Sequence, residues 1–329
     1  MQAIVSTLAI ILLGQVLIAP AFANPLPHEE QLFHSHNGIS SYSTTTLNLQ
    51  WQLHPDKQTF EPVITDDRLL IASSDQLYCH QQHSGELLWT YQGNSPLFSP
   101  SIRDGVVYIG SEKGDVIALS LNDGHTLWQQ KLKGWSYPPA ISNELVLTGG
   151  SSGLLTALNK HTGKVVWQYD AGQEFVYKPH LHKQQVVFTT FNGNAIAVDL
   201  NGHLLWRQPL GAVSMTPVSS LDQNHLYFAG IEGTITTLNS THGDVIWQQK
   251  TAAPVNAAIT LFKQWLFVNN QNGELIKIDR HTGHISTRKQ TRLSLIGSPH
   301  PQSEDQIIVF HKTLNSDQPL LIDLVAANY

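Results

Sequence analysis

KGDVIALSLNDGHTLW, residues 113–128, decides how this chain folds. The stretch turns at Gly114, runs through an alternating strand, turns again over Asn122-Asp123-Gly124, and ends in a strand that carries Trp four residues after Gly. The ending returns as GELLW from Gly85, GKVVW from Gly163, GHLLW from Gly202 and GDVIW from Gly243. Trp51, Trp89, Trp128, Trp167, Trp206 and Trp247 are separated by 38, 39, 39, 39 and 41 residues, and Thr287 fills the next slot, four after Gly283. A period this regular marks a repeat architecture and overrides any domain count taken from the 329-residue length.

The rest of the period follows the same pattern. The first turn recurs at Gly114, Gly153, Gly193, Gly233 and Gly273, each followed five residues later by an apolar residue: Leu119, Leu158, Val198, Leu238 and Ile278. Ser74 and Cys79 fill these slots in the first unit, which places the cysteine in the core. Before each turn lies a short apolar strand, such as RLLIAS from Arg68 or VVYIGS from Val106. Before that comes a strand opened by proline at Pro62, Pro100, Pro139, Pro179, Pro217 and Pro299, with Ala258 as the exception. Proline is tolerated at the first residue of a strand, where no ladder donor is lost. Apolar residues alternate with period two rather than 3.6, which excludes helical repeats. Four short strands in about 40 residues make a β-propeller blade of WD40-like architecture.

Counting from Trp51 gives seven units: 52–89, 90–128, 129–167, 168–206, 207–247, 248–287 and a last one from 288. The last unit has Pro299, QIIVFHK from Gln306 and PLLIDLV from Pro319, but no fourth strand. TLNLQWQL, residues 46–53, is a Trp strand without a unit before it, and is expected to complete the last blade and close the ring, removing both exposed edges. The expected fold is all-β: a seven-bladed propeller of four-stranded blades over residues 44–329, after a tail at 24–43.

Residues 1–23 read as an export signal. The apolar run IVSTLAIILLGQVLIA, residues 4–19, is followed by Ala21-Phe22-Ala23, the pattern that signal peptidase cleaves, so the mature chain is expected to begin at Asn24. The region before the run lacks Lys and Arg. A retained anchor is the alternative, although the run is short against the roughly 20 residues of a bilayer span. With no cysteine near the cleavage position, no lipid anchor is expected. Charged residues make up 13% of the chain, the net charge is -6 and no basic cluster occurs, which argues against nucleic acid and anionic membranes as partners. One cysteine allows neither an internal disulfide nor a cysteine-rich metal cage.

The Gly-x-x-x-Trp ending after an Asp or Asn turn, as in NKHTGKVVW at 159–167, resembles the pyrroloquinoline-quinone-type propeller repeat over residues 44–329. Two groups share that repeat: quinoprotein dehydrogenases, and non-catalytic propellers of the BamB type, lipoproteins of the outer-membrane barrel-assembly machine. For the first group the resemblance implies adjacent cysteines beside the quinone, calcium-binding carboxylates and an aspartate base. A lone cysteine rules out the pair, and Asp104, Asp123, Asp199 and Asp279 are scattered singly among turns, whereas a hard cation takes six to eight oxygens. No catalysis and no cofactor are therefore expected. The BamB-like group is closer in size and export, but its eight blades and lipid-acceptor cysteine are departures from this chain.

Seventeen histidines invite a metal. His180 and His182 share one strand face but supply only half a tetrahedral shell. His28, His34 and His36 lie in the tail with Glu29 and Glu30, while His125, His161, His242 and His281 sit in turns before Trp strands, where surface chemistry accounts for them. No metal site is expected. Another pattern carries more. Two residues before the strand openings stand Phe60, Phe98, Tyr137, Tyr177 and Met215, then Asn256 and Gly297. The first strand of a blade is innermost, so these positions ring the central opening on one face. They either fill space between blades or form, with Trp135, an aromatic arc that receives a peptide or partner loop. The expected function is an exported, non-catalytic scaffold that binds a protein in cell-envelope or outer-membrane protein assembly and is monomeric outside its complex. The alternative is a periplasmic redox or ligand-binding protein holding a quinone or metal at the channel, which bound quinone absorbance would reveal.

Overall fold

In a computed structural model the strands pair antiparallel with their sequence neighbours, sheet after sheet. The structure describes residues 62–290 apart from 66, 215, 217, 220, 221, 256 and 257, together with the backbone of the strands at 16–18, 31–35, 39–43, 49–53, 295–303, 306–311 and 321–326. The described residues contain eight sheets, six of four strands and two of three, and no helix. A complete blade is the third sheet: Ser101–Arg103, Val106–Gly110, Asp115–Ser120 and Thr126–Lys131. The sixth sheet has three named strands, with a single bridge from Ser219 to Tyr227 in place of its first strand. First strands of successive sheets lie side by side, Ala140–Ile141 between Ser101–Arg103 and His180–His182, which makes them the innermost.

The count of seven and the closing role of residues 46–53 are not confirmed. Leu49–Leu53 pairs with Ile39–Ser43, which pairs with Gln31–Ser35, in a first sheet that also takes in Val16–Ile18. The C-terminal sheet holds Leu295–Ser303, Gln306–His311 and Leu321–Ala326 alone. Residues 31–43, read as tail, lack the Gly-x-x-x-Trp signature but do carry the turn-favouring dipeptide Asn37-Gly38 in the sequence between two five-residue strands.

The core lies between sheets rather than within them. Leu70, Cys79 and Trp89 of the second sheet pack with Val107, Ile109 and Leu119 of the third. Leu155 and Ala157 of the fourth pack with Val186, Phe188 and Ile196 of the fifth. Middle strands are consequently buried on both faces and read as apolar runs, such as Gln185–Thr189. Outermost strands alternate, and leave aliphatic residues such as Val166 and Leu204 about half exposed at the perimeter.

Each outer-strand Trp from Trp89 to Trp247 clasps the next sheet, which is why the chain repeats it. The indole Nε1 of Trp89 donates to the carbonyl of Leu121, Trp128 to Lys160, Trp167 to Leu200 and Trp247 to Arg280, all at 2.9 Å, and Trp206 to Ser240 at 3.4 Å. Under each ring lies the glycine of the following unit's last turn. A Cβ on Gly163 would stand 2.5 Å from Trp128 Cε3, and Gly163 has φ +69°, so both space and backbone require glycine there. One residue before each Trp the ladder slips, between Ala118 and Leu119 in the third sheet for example, a bulge that sets the ring toward its neighbour.

Candidate functional site

The turns between first and second strands and between third and fourth strands lie on one face of a propeller. The opposite face is built from the turns between second and third strands and the links from sheet to sheet. Backbone bonds tie these two sets together: Leu97 N donates to the carbonyl of Ser74, Glu112 N to Pro96 and Ser136 N to Ser111. The expected arc lies on this second face.

Three of its members meet. The Phe98 ring stands edge-on to Tyr137 at 5.3 Å between centroids and tilted to Trp135 at 6.4 Å. Phe98 is buried, whereas Trp135 and Tyr137 are half-buried. Edge-to-face pairs of this kind contribute about 0.5 to 1.5 kcal/mol beyond the area they bury. Local bonding fixes the cluster. Phe98 N donates to Gly110 O, Tyr137 N to Gly149 O and Trp135 N to Ser151 Oγ, while Thr148 Oγ1 donates to the Tyr137 carbonyl. Burial, followed by the charge of Glu174, pushes the Tyr137 hydroxyl up to about 12, so it is a neutral donor in any physiological medium. Beside the cluster is a recess lined by Leu132, Lys133, Trp135, Thr148, Ser152 and Gln168.

Tyr177 departs from the expected register. Val176 N, not Tyr177 N, makes the bond to Thr189 O that corresponds to those of Phe98 and Tyr137. Four positions separate Leu97, bridged to Ser111, from Ser101, paired with Tyr108; five separate Phe175, bridged to Thr190, from His180, paired with Val187. One inserted residue thus moves Tyr177, itself half-buried, out of line with Phe98 and Tyr137. Val176 was missed because proline was used as the ruler, and Pro179 lies on the far side of the insertion. Phe60, Met215 and Asn256 lie outside the described residues, and for Gly297 only the backbone is described.

The carboxylates and histidines have structural employment. Asp199 Oδ1 accepts from Asn201 N and His203 N at 2.9 and 2.8 Å, and Asp279 Oδ1 from His281 N and Thr282 N at 3.0 and 2.9 Å, which closes the turn under each clasp. Asp104 receives Lys160 Nζ from the next sheet at 2.9 Å, and Asp123 pairs with His125. The rings of His180 and His182 lie nearly parallel at 6.4 Å, and His182 Nε2 donates to Gln223 O in the following sheet at 3.1 Å. Among the described residues no three His, Cys, Asp or Glu side chains gather as metal ligands. Cys79 is fully buried opposite Trp89, and burial raises its thiol to about 11. These donors do not fit the quinone and calcium site that the repeat implies for dehydrogenases. The tail histidines His28 and His36 lie outside the described residues, and of His34 only the backbone is described.

Comparison with known proteins agrees with the geometry. The chain is 30% identical over 114 residues to the outer membrane protein assembly factor BamB of Kangiella koreensis, covering 33% of this chain and 28% of that one. It is 24% identical over 257 residues to the BamB of Yersinia pestis, covering 75% and 58%. The chain therefore spans less than two thirds of the curated relatives it matches. The crystal structure of BamB from Moraxella catarrhalis superposes with a TM-score of 0.70 at 17% identity, over 90% of this chain and 96% of that chain, a likeness of fold. No helix among the described residues is long and apolar enough to cross a membrane. The model of the family described as outer membrane protein assembly factor BamB matches residues 35–134, 112–221 and 192–317, and the chain belongs to that family of propellers with pyrroloquinoline-quinone-type repeats.

Proposed function

We propose that this protein is an exported, non-catalytic scaffold that holds a protein partner during outer-membrane protein assembly, and that the partner docks on the face carrying Phe98, Trp135 and Tyr137. The observation that carries the reading is the aromatic cluster itself. Three rings converge at the junction of the third and fourth sheets, two of them partly exposed, on a backbone pinned by hydrogen bonds. Rigid aromatic groups that lose little freedom on binding are what interface anchors are made of. Family membership supplies the process, since both relatives are named as assembly factors. Export with cleavage after Ala23 would deliver the protein to the periplasm, where such a partner resides.

The test is a pair of measurements on one variant, Trp135→Ser with Tyr137→Ser. Under this reading, crosslinked capture of an assembly component from the envelope weakens by roughly 1 to 3 kcal/mol while melting changes little. A lower melting temperature with capture intact would assign the rings to packing. Stoichiometric quinone absorbance after reconstitution would replace the reading with the redox alternative.

A further inference from the structure

We propose that Asn201-Gly202 is a site of spontaneous succinimide formation, an age-dependent modification that loosens the clasp between the fourth and fifth sheets. Asparagine is among the thermolabile side chains. In this step Gly202 N attacks Asn201 Cγ, the Cγ–Nδ2 bond breaks and ammonia leaves. One water then opens the cyclic imide at either carbonyl, giving aspartate or an isoaspartyl link whose main chain runs through Cβ and Cγ. Glycine favours the attack because it brings no side chain against it. Three Asn-Gly pairs lie in turns of the described residues, Asn192-Gly193, Asn201-Gly202 and Asn272-Gly273, each with its glycine in the left-handed region. Asn37-Gly38 lies outside them.

The fold restrains two of the three and leaves the third ready to react. Asn192 Oδ1 accepts from Thr190 Oγ1 at 2.7 Å and from Asn194 Nδ2 at 2.8 Å, and Gly193 is buried. Asn272 is held through its carbonyl, which accepts from Gln290 Nε2 at 2.8 Å and so resists the rotation that ring closure needs, and Gly273 is buried. Asn201 is exposed, its side chain makes no hydrogen bond among the described residues, and Gly202 is open in part to the base that must take its proton. The two Asp-Gly pairs, at Asp104 and Asp123, stay ionised and are poor targets for the attack, because bonds from Lys160 and His125 hold their carboxyls below the usual range. The turn at Asn201 also carries both halves of a clasp. Gly202, with φ +87°, lies under Trp167, where a Cβ would stand 2.8 Å from Cε3, and Leu200 O accepts the indole N–H at 2.9 Å. This turn is shorter than its counterparts: Gly202 N bonds back three residues to Asp199 O, whereas Gly85, Gly124, Gly163, Gly243 and Gly283 bond back four. An extra main-chain atom between residues 201 and 202 shifts Gly202 against Leu200, and so tight a turn has no slack to absorb it.

Ageing of the full chain in warm, mildly alkaline buffer tests this, with the sites located by electron-transfer mass spectrometry, whose fragments separate isoaspartyl from aspartyl chains. Native protein should modify Asn201 about ten-fold or more faster than Asn192 and Asn272, and in urea the three rates should converge. Equal native rates would overturn the proposal. So would the same preference in urea, which would trace it to local sequence rather than to the fold. Aged protein should exchange the amide hydrogens of 165–170 and 204–209 several-fold faster than fresh protein. Asn201→Gln, on an exposed turn and with a longer side chain that closes the ring poorly, should age without that change. Isoaspartyl at 201 with exchange unmoved, or an equal loss of protection in aged Asn201→Gln, would overturn the effect on the clasp.

Discussion

Gly163→Ala is the sharpest probe of the clasp. Gly163 has φ +69°, and an alanine there costs about 1 kcal/mol for the left-handed backbone alone. Its Cβ would stand 2.5 Å from Cε3 and 2.8 Å from Cδ2 of Trp128, far inside normal contact. The indole has little room to retreat, since Tyr108 lies 5.9 Å away between ring centroids, and any tilt stretches the 2.9 Å bond from Nε1 to Lys160 O. Overpacking of this kind costs about 1 to 3 kcal/mol and a lost hydrogen bond about 1 kcal/mol more. The whole change should cost about 3 to 5 kcal/mol. Trp128→Phe, which removes only the N–H, should cost about 1 kcal/mol. Trp128→Ala should cost about 3 kcal/mol, the low end for a tryptophan because the ring is only partly buried. With the ring gone, the added methyl meets open space, so in the Gly163→Ala, Trp128→Ala double variant the two costs should fall short of their sum by about 2 kcal/mol. Equilibrium urea unfolding followed by far-ultraviolet circular dichroism reads the four variants against the parent. Additive costs, or Gly163→Ala within about 0.5 kcal/mol of the parent, would show that the glycine and the ring do not depend on each other.

Cys79, with its thiol raised to about 11 by burial, should ignore thiol reagents in the native protein and react only as the chain unfolds. His180 has its pKa lowered from 6.5 to about 4 by burial, with His182 and Lys178 adding to it. The unfolded chain therefore binds the extra proton between those values, and stability should fall by about 2 kcal/mol as pH drops from 6.5 to 4, a loss that His180→Gln should flatten in melts across pH. Intact mass of the exported protein should begin at Asn24, and retention of residues 1–23 would show the apolar run to be an anchor.

How far the sequence could be read depended on how strictly each residue obeys the period. Gly and Trp recur because a steric requirement recurs: the ring needs a neighbour without a side chain. Hence the sheets from Val63 to Gln290 were legible to within a residue or two. Cys79 fell into the core for the same reason, its slot being that of Ala118 and Ala157. The first sheet was not read as one, although Gly38 stands 13 residues before Trp51 as Gly193 does before Trp206, because no apolar run like those of the later second strands precedes it. Nor was the partner of each tryptophan, since a carbonyl such as that of Lys160 leaves no trace in the identity of its residue. The arc was half legible. Phe98 and Tyr137 share a register, but the insertion ahead of His180 moved Tyr177 aside without changing its distance from proline.

This division has a physical cause that bears on function. The clasps sit at the outer ends of the blades, where each sheet is held by its last strand and last turn. The links that cross from one sheet to the next on the arc's face are held by backbone bonds instead, and one of them takes an added residue between Phe175 and His180 while the neighbouring tryptophans, Trp128 and Trp167, keep bonds of 2.9 Å. Sheets fixed to one another at the rim can vary one face without loosening their packing. On that face three aromatic residues from adjacent links converge, and at the opposite end of the chain Thr287 and Lys277 abandon the pattern altogether. Local rules broken against a strict background are where strain or function is expected in any fold. In this protein the repeat supplies the background, and the converging rings and the exchanged pair of Thr287 and Lys277 are the two departures from it.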